Sequence, residues 1–120
     1  MSKVIGYKAI IRNMIWSEVE HYIEKKSGKF ATVFEDKMIM ETDNKVLGYP
    51  TFEVEARVDY NRYTLHGYVG EFGNVSISCV TYDRMVCTEK GPDGWWITES
   101  AKPVHKIIYG EELEKFDFAS

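Results

Sequence analysis

The stretch "TFEVEARVDYNRYTLHGYVG", residues 51 to 70, alternates with a period of two on both sides of a polar break. Phe52, Val54, Ala56, Val58 and Tyr60 fall on one side of an extended chain, and Thr51, Glu53, Glu55, Arg57 and Asp59 on the other. That is the pattern of a strand with one face on a core and one in water. Asn61 and Arg62 then read as a two-residue turn. With that turn Tyr60 opposes Tyr63, Val58 opposes Leu65, Ala56 opposes Gly67 and Val54 opposes Val69, so each inner pair joins side chains suited to a core. The same register sets Arg57 opposite His66, and Glu55 opposite Tyr68, on the wet face.

N-terminal to this hairpin, Ile11, Ile15, Val19, Tyr22 and Ile23 trace one face of an α-helix. Asn13 could cap that helix, or Ser17, which stands at capping-box distance from Glu20. Glu18 and Glu20 near its start, Lys25 and Lys26 near its end, and Gly28 as its terminator agree with the helix dipole and with a left-handed C-terminal residue. Before it, "KVIGYKAI" is β-rich and reads as an opening strand. After it, "KFATVF" and "KMIME" read as a short hairpin about Glu35 and Asp36, and "TDNK" as a further break before Pro50.

Toward the C-terminus, a hairpin through Gly73 and Asn74 leads into "VSISCVTY", a turn is expected at Asp83 and Arg84, and "GPDG" supplies a type I turn between "MVCTEK" and "WWITES". Val104, Ile107 and Ile108 suit either a helical turn or a strand, and Glu111 to Phe118 reads as a short amphipathic segment using Leu113, Phe116 and Phe118. The expected fold is α+β: one N-terminal amphipathic helix packed on a curved, mainly antiparallel sheet of about five to seven strands. In element order alone it is similar to cystatin-like and hot-dog-like arrangements. The length of 120 residues, with 44% hydrophobic content, suits one domain over 1–120 whose core needs no disulfide.

If the expected turn at Asp83 and Arg84 has two residues, Cys79 and Cys87 face opposite sides of the sheet and no bridge can form; a three-residue turn would put both on one face, but only diagonally related. Two reduced thiols, with no long apolar run near Met1 and none of the ~18 residues a membrane span needs, predict a soluble, cytoplasmic protein. Net charge is −4 and the 15 basic residues are scattered, which argues against nucleic acid as a partner and suits a protein partner with a basic face.

The chemical motifs are sparse. His21, His66 and His105 are isolated, and Glu18 with His21 gives one E-x-x-H where a dinuclear site needs two such helices, so neither metal nor cofactor is expected. His66 would lie opposite Cys79 or Thr81, on an open sheet face rather than in a cleft that excludes water. The glycines of "GYVGEFG" match neither a dinucleotide fingerprint nor a phosphate loop and are assigned to turns and close approach. Glu53, Glu55 and Asp59 share a face as solubilising charges. No catalytic residue is nominated.

The aromatic residues carry more. Trp95 and Trp96, adjacent in an expected strand, must point to opposite faces, so only one can join the core. An outer face with Glu55, Arg57, His66, Tyr68 and one of Trp95 and Trp96 has the composition of a protein-binding patch. The sequence therefore suggests a small acidic binding module, an inhibitor or adaptor of the immunity or phage anti-host type, whose partner is another protein or a second copy of itself. The alternative is a small-molecule-binding or enzymatic domain. Its pocket would lie between sheet and helix, lined by Tyr60, Tyr63 and a Trp, with His66 or an acidic residue transferring a proton.

Overall fold

A computed structural model describes the backbone of residues 2–41, 48–70 and 73–118, and side chains from residue 9 onward. The expected break at Thr42 to Lys45 lies outside the described residues. Helix α1 (Ser2–Ser27) is followed by strands β1 (Thr32–Glu41), β2 (Thr51–Val58), β3 (Asn61–Val69) and β4 (Val75–Cys87), a 3₁₀ turn (Thr98–Ser100), β5 (Ala101–Tyr109) and helix α2 (Gly110–Lys115). The strands form one open antiparallel sheet in the order β1-β2-β3-β4-β5. The α+β class stands, with five strands among the described residues.

The helix stripe packs as expected. Ile11, Ile15, Val19 and Ile23 are buried against Val54, Val58, Leu65 and Val80 on the inner face of the sheet, and half-buried Tyr22 meets Phe118 edge-on at 6.1 Å. Gly28, at φ 72°, ends the helix by donating its N–H to the Glu24 carbonyl at 2.8 Å. The start differs, because "KVIGYKAI" is helical and Asn13 and Ser17 lie inside α1. Strand preference is a weak local bias, whereas each residue added to an existing helix gains a hydrogen bond.

No hairpin forms at Glu35 and Asp36. The chain continues as one strand, with four residues of β1 (35–38) set against Val54 alone between the pairs Phe34–Glu55 and Ile39–Glu53. Three extra residues are an odd number, so the alternation inverts, and Val33 before the bulge and Met38 at its end both reach the core. Arg12 of α1 donates to the carbonyls of Glu35 at 2.9 Å and Met38 at 3.5 Å, satisfying groups that the bulge removes from the ladder.

The β2–β3 register also differs. The two-residue turn is Asp59 and Tyr60, with Val58 paired to Asn61, Ala56 to Tyr63, Val54 to Leu65 and Phe52 to Gly67. Asp59 adopts φ 55°, the left-handed region that Asp tolerates. A methyl group on Gly67 would run into the Ser76 carbonyl and come within 2.8 Å of the Phe52 ring. Placing the ring over the glycine fills the gap that an Ala56–Gly67 pair would leave. The slip is even, so each strand keeps its inner and outer faces; only Tyr60, now in the turn, changes from inward to 99% exposed.

No turn forms at Asp83 and Arg84, because β4 runs straight through them. β5 pairs with β4 from Cys79 to Cys87, but β3 pairs with it only as far as Thr81, so the β4–β5 ribbon projects beyond the sheet. The chain extends over 66 × 30 × 28 Å. Gly94 donates to the Gly91 carbonyl at 3.0 Å with φ 84°, the turn read from "GPDG". The ribbon tip is closed by Ser100, whose hydroxyl accepts from the N–H groups of Thr88 and Glu89, each at 3.1 Å. The tail is strand and then helix. Leu113 and Phe118 are buried, and the Tyr63 hydroxyl donates to the Phe118 carbonyl at 2.9 Å.

Candidate functional site: the outer sheet face and its cleft

The buried side chains of α1 and α2 join the core on the inner face. Alternation therefore presents Glu53, Glu55 and Arg57 of β2, Thr64, His66 and Tyr68 of β3, Cys79, Thr81 and Asp83 of β4, and His105, Ile107 and Tyr109 of β5 on the outer one. The structure thus brings Glu55, Arg57, His66 and Tyr68 onto one surface, as expected, but with different neighbours. Arg57 pairs with Arg62, Glu55 with Thr64, and Tyr68 with Thr51.

His66 lies beside a carboxylate rather than a guanidinium. Its Nδ1 is 3.3 Å from Oε1 of Glu53, and its Nε2 is 3.1 Å from the Thr81 hydroxyl. Its backbone partner is Cys79, so the two residues expected opposite His66 meet it together, one through the ladder and one through the side chain. Glu55 is held by Lys37 at 3.0 Å and Arg62 at 3.8 Å, and both cations lie over the Phe34 ring. Tyr68 stacks with Tyr49 at 6.0 Å. Asp83 and His105 form a second acid–imidazole pair at 2.9 Å. Local sequence pattern does not reveal Glu53 or the Asp83–His105 pair as imidazole partners, because both depend on register. The size match of Phe52 to Gly67 was the available signal.

Glu53, His66 and Thr81 have the order of a carboxylate–imidazole–hydroxyl relay. Turnover through the Thr81 oxygen would also need donors aimed at a developing oxyanion and exclusion of water. At Thr81 the β4 backbone is flanked by β3 and β5, whose ladders occupy the N–H groups, and the Glu53 side chain is 44% exposed. Burial, and secondarily the Glu53 carboxylate, raise the Cys79 pKa above its ordinary value and so disfavour the thiolate. Among the described residues no cluster of three or more His, Cys, Asp or Glu could hold a metal ion, and no helix is long and apolar enough to cross a membrane.

Where the pairing of β3 with β4 ends and the ribbon continues, a cleft of about 860 Å³ opens between Asn61, Arg62 and Tyr63 on one side and Asp83, Arg84 and Met85 on the other. Tyr60 and Tyr63 both line it. It lies beside the ribbon, whereas the space between helix and sheet is filled by Ile15, Val19, Ile23, Val54 and Leu65, each with no exposure. The tryptophans belong to neither place. The residues from Gly91 to Ile97 form a loop rather than a strand, with one bridge from Lys90 to Trp96, so Trp95 (77%) and Trp96 (57%) are both exposed. Cys87 lies eight positions along β4 from the partner of His66, which sets the tip roughly 26 Å or more from that histidine at about 3.3 Å per residue. The expected single patch is therefore two surfaces. No family model, curated protein or solved structure matches the chain.

Proposed function

We propose that the chain is a small acidic protein-binding module, an inhibitor or adaptor, that engages another protein through the outer face of its sheet. The observation that carries this reading is that no described element covers that face, although Ile39, Ile107 and Tyr109 on it are each more than half exposed. Large apolar anchors beside Glu55, Arg57, His66 and Tyr68 give the mix of desolvating groups and polar rim found at protein interfaces. The net charge of −4 favours a partner with a basic face there. The exposed tryptophans at the ribbon tip support a second point of engagement. The helix-then-meander order supports a cystatin-like or hot-dog-like arrangement in element order alone.

Affinity capture from cells that make the protein tests the proposal. Ile107→Asp and Tyr68→Ala are expected to lose the captured partner while circular dichroism stays unchanged, and Trp96→Ala reports separately on the tip. Capture that survives both outer-face variants overturns the assignment of that face.

A further inference from the structure

The two outer edges of the sheet are blunted. β1 is broken by its bulge and carries Glu35, Asp36 and Lys37 there, and β5 carries Pro103 between Lys102 and Val104, with Lys106 further along. Bulges, prolines and lysines are the usual means by which sheet edges avoid accepting further strands. A third edge lies inside the outline of the molecule. From Tyr82 to Cys87, the side of β4 facing away from β5 pairs with no strand among the described residues, and the segment contains neither proline nor bulge.

The side chains along this edge also carry a charge pattern. On the inner side, Tyr82, Arg84 and Val86 of β4 are paired with Lys106, Val104 and Lys102 of β5. That side of the ribbon has three cations and no carboxylate, in a chain whose net charge is −4. None of Arg84, Lys102 and Lys106 forms an ion pair among the described residues, whereas Asp83 on the opposite side is already held by His105.

We infer that the β4 edge from Tyr82 to Cys87 accepts an extended acidic segment of a partner protein as an added strand. Main-chain hydrogen bonds to the unpaired edge provide affinity, and alternate side chains provide specificity. The inserted strand carries a carboxylate opposite Arg84, with apolar residues two positions to either side against Tyr82 and Val86: apolar, any, acidic, any, apolar. The cleft supplies room at the base of the edge, between Arg84 and Asn61. A nucleic acid fits less well, because three cations neutralise few phosphates and a sugar–phosphate chain cannot continue a β-ladder. The inference rests on the reading of the chain as a protein-binding module, but it uses a different surface from the outer face.

The test is selection of a random 12-residue peptide library displayed on phage, against the full chain and against Arg84→Glu. Peptides that win on the native chain are expected to share the alternating acidic motif, to bind Arg84→Glu and Arg84→Ala about tenfold or more weakly, and to slow hydrogen exchange at the amides of Tyr82 to Cys87. Selection on Arg84→Glu is expected to yield Lys or Arg at the central position. Failure to select a binder, winners indifferent to Arg84, or an absence of protection at the edge each overturn the inference. So does a dimer in sedimentation with those amides already protected, which would make a second copy the occupant, or tighter Arg84-dependent binding of a single-stranded oligonucleotide. Ile107→Asp leaves peptide binding unchanged, so failure at the edge and failure of the outer face are read independently.

Discussion

Among the buried residues described, Tyr63 is the one with a polar group on its side chain. It is buried, it meets Tyr82, Phe116 and Phe118 edge-on at 5.5, 5.8 and 5.0 Å, and its hydroxyl satisfies the Phe118 carbonyl. Burial, with smaller contributions from Tyr82 and Asp117, raises its pKa above the ordinary 10.0. The folded chain therefore keeps this proton at a pH where the unfolded chain has begun to lose it. The associated stability is complete below pH 10.0 and falls as pH rises through the folded-state value. Tyr63→Phe is expected to cost about 1 to 2 kcal/mol at neutral pH through the stranded carbonyl. It should also make the alkaline loss shallower, leaving the parts due to Tyr22 and Cys79, whose pKa values burial also raises, and to Lys29, raised by its contact with Asp59. Urea midpoints measured between pH 8 and pH 11 check both effects, and parallel profiles for the two proteins would contradict the second.

At the scale of elements, the bulge in β1 depends on the helix beneath it. The Arg12 guanidinium binds the Glu35 and Met38 carbonyls from α1, across 23 and 26 residues of sequence. Arg12→Met keeps the stem but leaves those carbonyls to water, and is expected to destabilise the fold by about 1 to 2 kcal/mol. Hydrogen exchange from Phe34 to Ile39 should rise more than elsewhere in the sheet; a uniform rise would show that the bulge needs no pin. Such long-range pairings explain which elements the sequence reveals. The helix stripe from Ile11 to Ile23, the faces of β2 and β3, and the Leu113 and Phe118 anchors follow from local periodicity. The register of β2 on β3 does not, since any even slip keeps the same faces, and it was the fit of Phe52 over Gly67 that selected one. Two adjacent charges such as Asp83 and Arg84 are unusual in the middle of a strand that has one face buried. In a ribbon wet on both sides they signal no turn.

At the scale of the molecule, the radius of gyration is 17.5 Å, against about 14 Å for a compact chain of 120 residues. Small-angle scattering should give a value near the larger figure, and replacing residues 85–103 with Asn-Gly should bring it close to the smaller one with the melting transition intact. An unchanged value would mean that the ribbon folds back in solution. The candidate sites follow the same division. His66, Glu55, Arg57 and Tyr68 were legible as one face because alternation alone places them. The tryptophan expected on that face lies at the ribbon tip instead, because the pairing of β3 with β4 stops at Thr81, which no local pattern encodes. The unbroken β4 strand has one more consequence. Cys79 and Cys87 lie on one side of it, one within the sheet and one on the projecting arm, roughly 26 Å apart at about 3.3 Å per residue. The native thiols thus form a built-in spectroscopic ruler: with spin labels on both, Cys79 reacting last, their dipolar coupling would report bending of the arm when a partner arrives.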